Sequence, residues 1–157
     1  MHISSQKGVA AVELTILLPF FLLVIFATAE LGRALYQYNT LTKLVRDAGR
    51  YLANNADKRV TTTLPSPLSD ANCGNCITQT KNLLVYGNIA GSGTPLLYGL
   101  SIANVNIANA PSGSRQVMVS ANYDWQPLFS ETLPVFGFGE SIDLSFNLNA
   151  SYAVTAL

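Results

Sequence analysis

The sequence predicts an α+β protein, in which a long N-terminal membrane-spanning helix continues into an amphipathic helix packed on a C-terminal antiparallel sheet. Three observations predict this. Residues 9–29 form an apolar run of 21 residues whose single charge is Glu13. Apolar residues then recur every three or four positions from Leu31 to Leu52, the spacing of one helix face. The last third of the chain alternates apolar and polar side chains, the spacing of half-buried strands. The divisions expected are a leader over 1–8, a membrane helix over 9–29, an amphipathic extension over 30–54 and an extracytoplasmic antiparallel β domain over 55–157.

Composition narrows the function classes. The 157 residues are 49% hydrophobic and 11% charged, with nine Lys+Arg against nine Asp+Glu, whereas soluble domains carry roughly a quarter charged residues. Nucleic-acid binding relies on clustered Lys and Arg that release counterions, and here the basic residues outside one helix are scattered, with Lys58 and Arg59 the one adjacent pair, so no nucleic-acid partner is expected. The many Leu, Ile, Val, Phe and Tyr residues argue against disorder. The one histidine is His2, and neither a P-loop nor a GxGxxG occurs. No catalytic residue, cofactor, metal or small-molecule substrate is therefore expected.

At about 1.5 Å per helical residue, 9–29 matches a hydrocarbon core of roughly 30 Å. The polar leader carries Lys7 and His2, which favours a cytoplasmic N-terminus and leaves the rest of the chain outside. A competing reading is a secretory signal peptide, with Leu14 to Phe26 as its apolar core and Ala27, Thr28 and Ala29 as an A-x-A cleavage signal. Against it, helical periodicity runs through the proposed cut with no breaker. Pro19 is expected to kink the span. A carboxylate in hydrocarbon costs on the order of 2.5 kcal/mol or more. Glu13 lies near the interface, where that cost falls, so the chemistry admits both a functional carboxylate and a passive one.

In the extension, Leu31, Leu35, Tyr38, Leu41, Val45, Ala48 and Leu52 form the apolar stripe, and Arg33, Gln37, Thr40, Lys43, Asp47 and Arg50 the other face. Glu30 with Arg33 and Lys43 with Asp47 have ion-pair spacing and read as solvated surface. Gly32 and Gly49 either admit a close neighbour or weaken the helix.

Asn54 to Asp70, rich in Thr, Pro and Ser, reads as a connection. Cys73 and Cys76 form a CxxC, which serves a redox catalyst, half a zinc site or a small disulfide loop. Zinc needs two more ligands and a thioredoxin-like catalyst needs a βαβ setting, neither of which the sequence offers; a disulfide in an oxidising compartment fits. So short a loop removes little chain entropy, so it braces a turn rather than deciding whether the domain folds. Strands are expected over Leu100 to Ile107, over Val117 to Trp125 after a turn at Pro111, Ser112 and Gly113, and as one long strand from Ile142 to Val154. Between the last two, Pro127 to Gly139 carries Leu128, Phe129, Leu133, Val135, Phe136 and Phe138; it either folds under the sheet or forms a partner patch.

The run Lys7, Gly8, Val9, Ala10, Ala11, Val12, Glu13 resembles the prepilin cleavage motif of type IV pilin-like proteins. Its continuation, Leu18 and Pro19, then Glu30, Gly32 and Arg33, then Leu41, Arg46, Ala48, Gly49 and Arg50, is similar to the TadE-like family of tight-adherence (Flp) pilus assembly proteins, over roughly residues 7–51. The resemblance implies a pilin-like arrangement, cleavage after Gly8 by a prepilin peptidase, and Val9 and Glu13 as the first and fifth mature residues. It implies partners among pilin or pseudopilin subunits, the assembly machinery and inner-membrane lipid, in a single-pass bacterial inner-membrane protein that either joins a surface pilus or primes its assembly from the membrane. The family's major pilin is very short, whereas removing eight residues of 157 leaves 149, so a minor pseudopilin is implied. A permanently anchored extracytoplasmic binding module that does not polymerise is the alternative. Cleavage would put a new ammonium on Val9 beside the Glu13 carboxylate, and each could neutralise the other within a helix or between shifted subunits, setting register.

Overall fold

The structure is a computed structural model that describes residues 6–56, 64–65, 67–110, 114–128, 131–133 and 140–157. Met1 to Ser5 of the leader, the turn at Pro111 to Gly113, and Phe129, Val135, Phe136 and Phe138 of the apolar loop lie outside the described residues.

Helix α1 (Gln6–Asn55) is a single run of 50 residues that passes through Pro19, near 75 Å long at the usual helical rise. Its outer half supplies one wall of the core, through Ala34, Leu41, Val45, Ala48 and Leu52, with Ala56 just past its end. Against that wall packs an antiparallel sheet of strands β1 (Val105–Ala110), β2 (Gln116–Trp125) and β5 (Phe146–Thr155), in the order β1-β2-β5. The alternation of β2 sends Val117, Val119, Ala121, Tyr123 and Trp125 into the core. Register pairs Asn122 with Asn149 and Ser120 with Ser151 on the opposite face. The result is α+β, as the sequence predicts.

Four features differ from the sequence reading. Leu31, Leu35 and Tyr38 are 61%, 55% and 42% exposed, while Glu30 and Ala34 are 6% and 4%. Helical phase explains it: stepping back at 100° per residue from Leu52, Val45 and Leu41 reaches Ala34 and Glu30, and the sequence reading followed apolar identity instead of phase. Glu30 and Arg33 are consequently no solvated surface pair but lie between helix and sheet, and Lys43 and Asp47 are exposed and make no ion pair among the described residues. Second, the segment read only as a CxxC contains short α2 (Asp70–Cys73) and α3 (Cys76–Tyr86), which packs on α1 with Cys76, Thr80, Leu84 and Val85 buried. Tyr51 donates its hydroxyl proton to Gln79 Oε1 at 2.8 Å across that contact. Third, the long final strand is broken. β4 (Ile142–Asp143) pairs with β3 (Thr132–Leu133), then Asp143 Oδ1 accepts from the Ser145 N–H at 2.8 Å and the Leu144 N–H goes to the Glu131 carbonyl at 2.8 Å, turning the chain before β5. Fourth, a 3₁₀ turn at Ile102–Asn104 delays β1 to Val105.

The two helical glycines separate cleanly. A Cβ on Gly32 meets nothing within 4 Å, but one on Gly49 would stand 2.6 Å from Tyr152 Cδ1 on β5. Ala is worth roughly 1 kcal/mol over Gly in a helix, whereas overpacking costs about 1–3 kcal/mol. Gly32→Ala is therefore expected to stabilise the detergent-solubilised chain by up to about 1 kcal/mol, and Gly49→Ala to destabilise it by up to about 2. Denaturant unfolding followed by Trp125 emission checks the opposite signs.

Candidate functional site

The cleavage and assembly residues expected from sequence share one helix face. Gly8, Val9, Val12, Glu13 and Ile16 line it at the spacing of successive helical turns. Gly8 lies in α1 near its N-terminal end as described, and Glu13 is exposed and makes no ion pair among the described residues. Around this face the helix is bare: twelve large apolar side chains from Val9 to Phe26 stand 41–69% exposed. Covering them is worth on the order of 1 kcal/mol each, so the total rivals the roughly 5–15 kcal/mol that holds a whole domain together. One long apolar helix of this kind fits a single-pass membrane protein.

A second arrangement, which sequence reasoning missed, joins the helix to the near end of the sheet. Glu30 Oε1 accepts from the Leu128 N–H at 2.7 Å, and its Oε2 lies 3.4 Å from Arg33 Nη2. Arg33 in turn donates to the Gln126 carbonyl and lies over Trp125, with Cζ 5.5 Å from the ring centroid. Trp125 stacks on Phe146 at 4.8 Å and 26°. A small groove of about 90 Å³ opens here between Ala27, Leu31 and Ala34 of the helix and Trp125, Leu144 and Phe146 of the sheet. Nearby, Tyr123 donates to the Tyr98 carbonyl at 2.8 Å; burial pushes its phenol above the usual range, Arg33 opposing and Asp124 adding. The signals available in sequence were the i,i+3 spacing of Glu30 and Arg33 and their phase on the core face.

The CxxC closes as a Cys73–Cys76 disulfide, Cα atoms 5.5 Å apart, with Gly74 and Asn75 both left-handed between α2 and α3. Both cysteines are buried in the core, at 2% and 0% exposure, so the loop contributes packing as well as closure. Across it Asp70 anchors the start of α3: Oδ1 accepts from the Ile77 and Thr78 N–H groups at 2.7 and 3.0 Å, and Oδ2 from the Thr78 hydroxyl at 2.5 Å. Burial raises the Asp70 pKa, but these hydrogen bonds and Lys81 outweigh it, leaving the pKa below its ordinary value. A carboxylate whose pKa is lower folded than unfolded stabilises above the unfolded value and loses that contribution as pH falls through the folded one. Asp70→Ala is expected to cost about 0.5–2 kcal/mol at neutral pH, the worth of a helix cap, and less below about pH 4. Thermal unfolding of both chains across that range checks the convergence. No group of three or more His, Cys, Asp or Glu is placed to hold a metal among the described residues.

Residues 8–50 match the family model described as TadE-like protein. The matched stretch takes in Gly8, Glu13, the apolar helix, the Glu30–Arg33 pair and Gly49, and stops before the sheet. No curated protein and no solved structure matches the chain.

Proposed function

We propose that this chain is a minor pseudopilin that takes part in assembling or priming a tight-adherence type IVb pilus. The observation that carries this reading is the coincidence of the family match with an exposed apolar helix bearing Gly8, Val9 and Glu13 on one face. In the proposed sequence of events the N-terminus stays cytoplasmic and 9–29 spans the inner membrane. A prepilin peptidase hydrolyses the peptide bond after Gly8. Val9 then carries a free ammonium, and Glu13 neutralises it on a neighbouring subunit. Two opposite charges in an apolar setting strongly penalise any axial shift that separates them, so the pair specifies register even where it adds little net stability. Partners are other pilin or pseudopilin subunits and the assembly machinery. The role is structural, with no reaction assigned to any side chain.

The test is fractionation. Fibres sheared from cells are expected to contain this chain in small amounts relative to the major pilin, and cells lacking it are expected to make few or no fibres. A chain confined to the inner membrane, in cells whose fibres form normally without it, would support the anchored binding module instead.

A further inference from the structure

We infer that the near end of the sheet is seated in the headgroup layer of the extracytoplasmic leaflet, with Leu31, Leu128 and Phe146 against lipid and Trp125 directly behind them. The inference rests on the proposed span over 9–29. A span that uses up the roughly 30 Å hydrocarbon core at residue 29 leaves about 5–7 Å of headgroup region on that side, or some four helical residues. Two of those residues tie the end of the sheet to the helix: Glu30 accepts from the Leu128 N–H just past β2, and Arg33 contacts the Gln126 carbonyl and the Trp125 ring. The sheet end is thus tied to the helix at the height of the headgroups. The groove at this junction reaches down to Ala27, inside the span.

Composition agrees with the height. Leu31, Leu128 and Phe146 are 61%, 68% and 43% exposed around one junction, where water would leave apolar surface uncovered. Behind them Trp125, itself 2% exposed, stacks on Phe146 with Arg33 over its face, so the apolar surface is backed by an aromatic core. At the junction itself the charge is met internally, since Glu30 faces Arg33 and a backbone N–H, while Asp124, Glu131 and Asp143, exposed around the same end, are placed in the hydrated headgroup layer and not in hydrocarbon. A second copy is the competing occupant, and the groove running on through Ala27 into the segment assigned to the span favours lipid.

Trp125 is the single tryptophan, which makes it the probe. The full chain is placed in phosphatidylcholine–phosphatidylglycerol vesicles containing lipid spin-labelled near the headgroup or near the chain terminus. Trp125 emission is expected to be quenched more by the shallow label than by the deep one, and Leu128→Asp to reduce that shallow quenching. A reporter in the span, Phe20→Trp in a Trp125→Phe chain, is expected to show the reverse order. Deep quenching of the span reporter with no lipid quenching of Trp125 would overturn the seating and leave the span standing. Quenching of neither would overturn the span reading and the seating with it. Trp125 emission that follows the protein-to-lipid ratio and ignores both labels would assign the rim to a second copy and overturn the proposal.

Discussion

Glu30→Ala is expected to lower the stability of the full chain by about 2–3 kcal/mol, which is large for one helix position. Removing the carboxylate leaves the Leu128 N–H without its acceptor and the Arg33 guanidinium without its counter-charge, against the Trp125 ring. Breaking a fully buried ion pair costs about 3–5 kcal/mol, but the Arg33 side chain is 31% exposed, so solvent screens part of the loss. Glu30→Gln keeps an acceptor for the N–H and is expected to lose about half as much. Lys43→Ala, at an exposed position with no ion pair among the described residues, is the control and is expected to change stability by less than about 0.5 kcal/mol. Denaturant midpoints of the three variants in detergent decide it: equal, small losses would show that Glu30 is solvated surface after all.

Glu13→Ala is expected to abolish pilus formation while leaving membrane insertion and cleavage intact. Insertion loses nothing, because taking a carboxylate out of hydrocarbon relieves a cost on the order of 2.5 kcal/mol. The side chain also contributes nothing to the fold, since it is exposed on a bare helix remote from the sheet. A defect confined to assembly therefore points to the pairing with a neighbour's Val9 ammonium. Membrane fractionation, a processing gel and a fibre count on the same strains separate the three steps. Normal fibres with Glu13→Ala would return Glu13 to a passive interfacial carboxylate.

The parts of this fold that were legible in sequence are those in which one periodicity holds over many residues. The run from Val9 to Ala29, the stripe from Leu41 to Leu52 and the alternation from Val117 to Trp125 are such parts, and the structure keeps them as helix, core face and central strand. The failures occur where a tertiary partner overrides the local pattern. Leu31, Leu35 and Tyr38 look like core by identity, yet the phase set further along gives that face to Glu30 and Ala34. The break at Leu144 and Ser145 depends on an Asp143 side chain bonding its own backbone and on the Glu131 carbonyl, neither visible in an alternating pattern. Helix α3 was hidden by the cysteines, whose spacing drew attention to chemistry while Asp70, six residues upstream of Cys76, supplied the cap. The proposed cleavage and assembly residues, Gly8, Val9 and Glu13, rest on motif spacing; the Glu30–Arg33–Trp125 junction was not legible, because Glu30 and Arg33 lie more than 90 residues from Trp125 in sequence.

The most direct measurement is the intact mass of the mature chain extracted from membranes. A pseudopilin processed after Gly8 is expected to lack its first eight residues and begin at Val9, leaving 149 of 157 residues with the apolar helix and Glu13 retained. A chain beginning at Glu30 would mean secretory cleavage after Ala29, loss of the whole span, and a new ammonium placed beside the Leu128 and Arg33 contacts. That result, or an uncut chain beginning at Met1 in cells that assemble pili, would contradict the proposed function.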